Sequence, residues 1–229
     1  MSTVRPVRTG NAFEDTIAQL LRAIRLGEFM VGEKLPAERD LARSLGVSRA
    51  TLREALHELK ETGIVEVTRG RYGGTVVIGL PKDHGDLAAI DPAELADALA
   101  FREVLETAAA RIVAAAPLSA AQRQELRSAC TDCEEAELVE YRAFDSRFHL
   151  TLAELTGIPS LRTAAAETRD RVNALLDRIP LLQPNLDHAN DQHELLVDAV
   201  LSGDVEAAVR HAADHARGTA ALLQGYLEE

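Results

Sequence analysis

The sequence predicts a mainly α-helical chain in two parts: an N-terminal winged helix-turn-helix of three helices plus a β-hairpin, and a C-terminal all-α antiparallel helical bundle. Residues 35–77 hold a helical pattern, a glycine turn, a second helical pattern with basic residues and a glycine-rich hairpin pattern. From Asp91 onward the apolar spacing is helical throughout. The 229 residues, 46% of them hydrophobic, are enough for two cores of ordinary size.

Apolar residues at helical spacing predict three helices in the N-terminal domain, 11–78, which follows a flexible arm, 1–10. These helices are 13–26, 38–45 and 48–61. Gly46 supplies the positive φ needed to end the second helix, and Ser48 offers a side-chain oxygen that can cap the third. This order of a helix, a tight turn and a second helix is typical of a helix-turn-helix.

The third helix has an apolar face for packing and a separate basic face. N-terminal residues of a recognition helix enter the major groove first, and arginine suits both guanine edges and phosphate oxygens. The candidates for DNA contact are therefore Ser48, Arg49, Thr51 and Arg53. Two β-rich runs then flank the basic segment 69–74 and predict a hairpin. The alternative is a structural helical hairpin whose arginines only face solvent.

Several motifs in this region resemble the GntR family of bacterial regulators, namely Leu35–Ala42, Gly46–Arg49, Leu52–Leu56, Gly63–Val65 and Arg69–Arg71. The resemblance implies that Arg39, Arg49 and Arg53 contact DNA. It also implies neighbouring polar contacts from Ser48 and Thr51, and a wing tip at Gly70 and Arg71 that enters the minor groove. His57 does not belong to that pattern and is expected to be a surface residue.

The charge of the chain is divided unevenly between its two parts. Residues 1–80 carry 12 Lys and Arg against 10 Asp and Glu, whereas residues 81–229 carry 13 against 27, so the formal net charge of −12 comes from the second part. Contacts with phosphate must therefore come from clustered arginines, and DNA binding should be salt-sensitive. No apolar run is long enough to span a membrane, and residues 1–10 lack the core of a signal peptide. We expect a cytoplasmic bacterial protein.

A linker, 79–91, mixes Gly, Pro, Lys and Asp, and Asp91 with Pro92 then starts the second domain, 92–229. Helical spacing and breaks at Gly157–Pro159 and Ile179–Pro180 predict six helices in it. They are 92–116, 119–139, 143–156, 160–179, 186–202 and 204–226. Cys130 and Cys133 fall within one helix without a second cysteine pair, so reduced structural thiols are expected.

Four residues with metal-ligating side chains are spaced so that they can converge. Asp145 and His149 are four apart, which places them on one helix face about 6 Å apart along the axis. His193 and His215 lie at similar distances on either side of the turn at Gly203–Asp204, so they can face each other across a helical hairpin. One Asp and three His suit Zn²⁺ first, with Ni²⁺ or Mn²⁺ as alternatives. Ordinary core or surface histidines are the competing interpretation.

Five features of the second domain resemble the FCD effector domain of the FadR-type branch of this family: Phe101–Glu106, Asp145–His149, Gly157–Pro159, His193 before Gly203–Asp204, and His215. The resemblance implies that Asp145, His149, His193 and His215 hold a divalent ion, beside which related regulators bind small organic acids. Arg102 matches an arginine of the first bundle helix and can pair with a carboxylate effector. A salt bridge with an acid such as Glu106 is the alternative for Arg102. Asn173 is expected to line the same cavity or to face solvent.

These features together predict a transcription regulator and not an enzyme. We expect a homodimer that binds a pseudo-palindromic double-stranded DNA operator, with an affinity controlled by a small organic acid at the metal site. One alternative is a metal-free regulator that senses an acyl ligand. Another is a metal-dependent hydrolase, which the sequence supports poorly because His193–Glu194 has Val197 where a second histidine of an H-E-x-x-H motif would stand.

Overall fold

The computed structural model describes residues 12–68, 73–80, 91–177, 179 and 181–227. The chain divides into two compact units, Met1–Pro81 and Lys82–Glu229. Within the described residues, helices and one two-stranded antiparallel sheet account for the regular structure, which confirms the predicted mainly helical class. In the same ranges, no helix combines the length and the apolar character needed to cross a membrane.

The first unit contains three helices at the predicted positions: α1 (Ala12–Arg25), α2 (Glu38–Leu45) and α3 (Arg49–Glu61). Gly46 ends α2 with a φ of 68°, and the Ser48 hydroxyl accepts a hydrogen bond from the Thr51 N–H at 3.0 Å to cap α3. The apolar stripe of α3 is almost completely buried against Leu20 and Ile24 of α1. Its members are Leu52, Ala55, Leu56 and Leu59.

Strands β1 (Val65–Thr68) and β2 (Gly74–Val77) form the predicted hairpin, with Val65 paired to Val77. A short segment, 32–35, also pairs with the other edge of β2: the Gly32 and Leu35 amides donate to Val77 O and Thr75 O, each at 2.8 Å. The sequence did not predict this pairing, because the segment is too short to show the alternation of apolar and polar residues that marks a strand. The segment joins the hairpin to the start of α2 and so ties the wing to the helices.

The second unit contains six helices within the described residues: α4 (Pro92–Ala114), α5 (Ala120–Glu134), α6 (Tyr141–Glu154), α7 (Pro159–Leu176), α8 (Gln183–Ser202) and α9 (Val205–Leu227). The Asp91 carboxylate caps α4, and Ser119 with Gln122 forms the predicted capping box of α5. Gly203 ends α8 with a φ of 78°, and Asp204 accepts from the Ala207 N–H at 2.9 Å. Gly203 and Asp204 therefore define the turn between α8 and α9.

The largest difference from the predicted helices concerns α5, which ends at Glu134 rather than at 139. The segment that follows is rich in glutamate, and negative charge is unfavourable at a helix C-terminus, where the backbone carbonyls already carry partial negative charge. The chain turns instead, and α6 begins at Tyr141, whose ring is buried with Cys133 and Leu186.

Helix α4 lies at the centre of the second unit, in contact with α6, α7, α8 and α9. The core that it shares with α9 is rich in alanine, including Ala109, Ala110, Ala208 and Ala212. Small side chains allow helix backbones to approach closely, so polar side chains from several helices can reach one point. This packing positions the histidines described below.

Replacing Gly46 with alanine should destabilise the first unit by about 1 kcal/mol, because a Cβ is unfavourable at a positive φ even where space is open. The measurement is thermal unfolding followed by circular dichroism. Gly225→Ala is the matched control, since Gly225 lies in α9 without a positive φ and without neighbouring atoms within 4 Å. An equal loss of thermal stability in both variants would contradict the proposal that the positive φ of Gly46 is needed for the turn.

Candidate metal centre and nucleic-acid interface

The structure brings Asp145, His149, His193 and His215 together. Helix α6 presents Asp145 and His149 on one face, with His149 Nε2 3.6 Å from Asp145 Oδ1. His193 Nε2 from α8 lies 3.5 Å from the same oxygen and 3.4 Å from His215 Nε2 of α9. One ligand atom from each of the four residues can be chosen so that all lie within 4.8 Å of one another. The spacing across the α8–α9 turn therefore brings the two later histidines face to face.

The polar atoms of this cluster are buried and incompletely paired. His149, His193 and His215 are 6%, 1% and 4% exposed. Among the described residues, neither nitrogen of His149 nor Nδ1 of His193 has a partner in hydrogen-bonding geometry. An unpaired buried donor or acceptor costs about 1–3 kcal/mol. A divalent ion in the cluster would take one nitrogen lone pair from each imidazole and one carboxylate oxygen, and this donor set suits Zn²⁺, Ni²⁺ or Mn²⁺.

Burial lowers the pKa of all three histidines below the usual value. The pKa of His193 falls to about 3 because of burial and the neighbouring His149. Burial and Arg169 lower the pKa of His149, and burial and His193 lower that of His215. The three imidazoles are therefore neutral near pH 7, which is the form that ligates metals.

Asp145 remains ionised despite its burial. Burial alone would raise the pKa of its carboxyl, but Arg169 and His149 outweigh that effect and hold the pKa well below its usual range. Arg169 Nη1 donates to Asp145 Oδ2 at 2.5 Å, and Arg169 Nη2 donates to Glu106 Oε1 at 2.7 Å. Asp145 thus presents its other oxygen, Oδ1, to the histidines as an anionic ligand.

Sequence reasoning missed Arg169, which is 3% exposed on α7. It belongs to a buried helical stripe with Ala166, Val172 and Leu176. A charged residue within an apolar stripe indicates a buried ion pair, so this pattern could have identified it.

Gln192 was also missed: its Oε1 lies 3.1 Å from His215 Nδ1, an outer contact that can orient the ring with Nε2 toward the cluster.

Arg102 is 3% exposed, and its Nε donates to Glu106 Oε1 at 2.8 Å, so the salt bridge considered as its alternative role is present. The same side chain also lines a cavity of about 150 Å³, together with Asp145 and His215. Asn173 differs from both expectations. It is buried rather than solvent-facing, donates to Ser146 Oγ at 2.7 Å, and is not among the residues that line this cavity.

The predicted DNA-contacting arginines lie on the surface of the first unit. Arg39, Arg49 and Arg53 are exposed, and Arg53 Nε donates to Glu38 Oε2 at 2.7 Å. Arg49 Nη2 lies 4.0 Å from the same oxygen. Glu38 was not foreseen as a shared partner that holds both side chains at the N-terminal end of α3.

Two further predicted polar contacts, Ser48 and Thr51, lie beside these arginines. Ser48 is exposed, and its hydroxyl lies 2.9 Å from the Thr51 hydroxyl. His57 is also exposed, as expected of a surface residue. Gly70 and Arg71, the predicted wing tip, lie outside the described residues.

Cys130 and Cys133 are free thiols on α5. Burial and Glu134 raise the pKa of Cys130 to about 11, and burial and Asp145 raise that of Cys133 further. A raised pKa disfavours the thiolate, which is the reactive form of cysteine. The two residues therefore contribute to packing, as the sequence suggested.

Two family models match the chain. The model of bacterial regulatory proteins of the gntR family matches residues 13–77, and the FCD domain model matches residues 97–218. The first match covers the helices and the hairpin of the first unit. The second covers all four residues of the buried Asp and His cluster.

Curated proteins are similar to this chain over most of its length. RmpR of Mycobacterium gastri, named as a helix-turn-helix regulator, is 33% identical over 209 residues, which are 88% of this chain and 76% of that protein. The Glc operon transcriptional activator of Escherichia coli K12 is 30% identical over 213 residues, 86% and 82% of the two chains. The solved structure of E. coli McbR/YncC covers 95% of this chain and 100% of its own, with a TM-score of 0.56 and 19% identity, which shows a shared fold.

Replacing Arg169 with methionine should destabilise the metal-free protein by about 3–5 kcal/mol, because two buried carboxylates lose their shared cation. The measurement is urea unfolding in the presence of a chelator. Arg171→Met is the matched control on the same helix, where more exposed pairs with Glu94 and Asp97 at 3.5 and 3.6 Å should contribute less than about 1 kcal/mol. Similar losses in the two variants would show that the buried pairing does not stabilise the bundle.

Proposed function

The chain belongs to the GntR family of bacterial transcription regulators and carries an FCD domain, and we propose that a small carboxylate bound beside a divalent metal controls its affinity for an operator. The observation that carries this proposal is the buried cluster of one Asp and three His at the wall of a cavity that Arg102 also lines. The cluster suits a metal, and the cavity provides room for a ligand beside it.

The first unit supplies the DNA contacts in this proposal. Two copies of the chain in a homodimer would present two α3 helices to successive major-groove segments, which calls for a pseudo-palindromic operator. Arg49 and Arg53 would contact bases and phosphates from α3, with Ser48 and Thr51 beside them at its N-terminal end. Arg39 would contact the backbone from α2, and Gly70 with Arg71 would enter the minor groove.

In the second unit, Asp145, His149, His193 and His215 would hold the ion, Zn²⁺ first and Ni²⁺ or Mn²⁺ as alternatives. A bound ion with open positions supplies a positive electrostatic partner for the effector carboxylate. Arg102 supplies a second positive group: among the described residues its acceptor is Glu106, reached through Nε, so its terminal nitrogens are available to a ligand. Asn173 holds Ser146 of α6 in place and acts on the site through that helix.

The cavity volume favours a small effector over the metal-free alternative with a long acyl ligand. A space of about 150 Å³ holds a benzene-sized molecule, so a long acyl chain would have to extend out of it. The hydrolase alternative loses its basis with the family assignment, because the chain belongs to transcription regulators and not to enzymes. A carboxylate sensor remains the function that the cluster and the cavity support best.

Control of DNA binding requires that the effector bind two states of the protein with different affinity. Residues from α4, α6, α8 and α9 line the cavity, so a ligand there would contact the helices of the bundle centre together. The coupling would be refuted if every acid that binds the protein left its affinity for the operator unchanged.

Genomic DNA fragments retained by the purified protein should be enriched in one short inverted repeat. Arg49→Ala/Arg53→Ala should abolish this enrichment, and the slope of log affinity against log salt should become shallower by about 0.9 for each phosphate that the variant no longer neutralises. Sequencing of the retained fragments measures the enrichment, and fluorescence anisotropy with the enriched repeat measures the affinity and its salt dependence. Arg111→Ala, an exposed arginine of α4, is the charge control and should bind as the unmodified protein does. Unchanged binding by the double variant would contradict the assignment of α3 as the recognition helix.

Protein purified without a polyhistidine tag should bind one divalent ion per chain, measured by equilibrium dialysis and elemental analysis. His193→Ala should weaken zinc binding by at least about 100-fold, since even the loss of an outer contact costs about 10–100-fold. His211→Ala is the matched control, because His211 lies one turn before His215 on α9 but outside the cluster. Equal zinc binding by the two variants would refute the proposed metal site.

A further inference from the structure

The residues that line the cavity in the second unit are spread along the α8–α9 hairpin. Gln192 and His215 line it at the level of the histidine cluster, and Leu182 and Leu222 line it near the start of α8 and the end of α9. At 1.5 Å of rise per residue, His215 and Leu222 are about 10 Å apart along the helix axis. The cavity therefore has one end at the cluster and another about two helical turns away.

The two ends differ in chemistry. The end at the cluster is polar, with Arg102, Asp145, Gln192 and His215 in its wall. The other end is largely aliphatic, and the side chains there come from the end of α7, the following segment and α8 and α9. These residues are Leu176, Ile179, Leu181, Leu182, Leu186 and Leu222. Asn185 and the exposed His188 line the cavity from α8.

Arg142 also lines the cavity, but its guanidinium is already engaged by the protein. Its Nε donates to Asp177 Oδ1 at 2.8 Å, and its Nη2 donates to the carbonyl oxygens of Leu176 and Ile179. Asp177 neutralises the charge of Arg142, and the hydrogen bonds to the two carbonyl groups join Arg142 to the end of α7. A second carboxylate at the aliphatic end would therefore have to compete with Asp177 and two carbonyl groups for this cation.

From this polarity we propose that the effector is a short monocarboxylate with a hydrocarbon body of about five or six carbons, rather than a dicarboxylate. The inference rests on the proposed carboxylate-controlled function and names the class of acid. The carboxylate lies at Arg102 and the cluster, and the hydrocarbon body packs against the leucines. A cavity of about 150 Å³ matches a body of this size, because an apolar cavity of such volume accommodates benzene.

Isothermal titration calorimetry on the zinc-loaded full chain tests this inference with acetate, butyrate, hexanoate, benzoate, glycolate, lactate, succinate and adipate. Affinity should rise by about fourfold for each added methylene between butyrate and hexanoate, because each one leaves water for an apolar wall. Adipate should bind at least about tenfold more weakly than hexanoate, because its second carboxylate would lie against leucines, partly out of water, while Arg142, which lines that end, is engaged by Asp177.

A charge-introducing variant provides a gain-of-function test. Leu182→Arg places a cation at the aliphatic end, on a residue that is already exposed, and should shift the preference from hexanoate toward adipate by about tenfold or more. Leu195→Arg is the matched control, since Leu195 is an exposed leucine of α8, the helix that begins directly after Leu182, and does not line the cavity. It should leave both affinities within about twofold.

The possible results separate the inference from the function on which it rests. If glycolate, lactate or a dicarboxylate binds more tightly than hexanoate, or if affinity is independent of chain length, the inference is wrong while carboxylate sensing stands. If Leu182→Arg and Leu195→Arg behave alike, the position assigned to the hydrocarbon body is wrong. If none of these acids binds the zinc-loaded protein, both the inference and the proposed effector control are overturned.

Discussion

The buried ion pairs of Arg169 are the interaction on which the second unit depends most. Arg169 on α7 pairs with Asp145 on α6 and Glu106 on α4, so one guanidinium joins three helices. Buried carboxylates are stable as anions only with a compensating charge. Burial opposes ionisation of Glu106, but Arg102, His149 and Arg169 together hold its pKa well below the usual range. The same pairing keeps Asp145 anionic and directs its Oδ1 toward the histidines.

Alanine-rich packing makes this polar centre possible. Small side chains on α4 and α9 bring the helices close enough for imidazoles from α6, α8 and α9 to meet. The neighbouring core of Leu95, Leu99, Val172 and Leu223 is aliphatic and lies toward the opposite end of α4 from the alanines. The bundle thus combines an aliphatic core with a polar centre, and the cavity borders both kinds of surface.

Charge is organised differently in the first unit, where exposed arginines pair with a carboxylate at the surface. Glu38 pairs with Arg53 and lies near Arg49, so two exposed arginines are oriented before any DNA is present. Pairs of this kind contribute little stability in water. In the proposed complex with DNA, a phosphate or a guanine edge would have to replace Glu38 as the partner of these arginines.

The sequence by itself determined the features that depend on residues close together in the chain. Gly46, Ser48, Ser119 and Gly203 mark helix ends, and the four-residue spacing of Asp145 and His149 places them on one face, because turns and caps involve only a few neighbours. His193 and His215 lie at similar distances from the turn at Gly203–Asp204, and this spacing extended the same reasoning to a helical hairpin.

Only the tertiary structure decided which distant groups meet. It paired Arg169 with Glu106 across 63 residues of sequence, buried Asn173 against Ser146, and ended α5 before the glutamate-rich turn. It also separated the polar and aliphatic ends of the cavity. Such contacts depend on how helices pack around a shared core, and side-chain spacing within one helix carries no information about the partner that its face will meet.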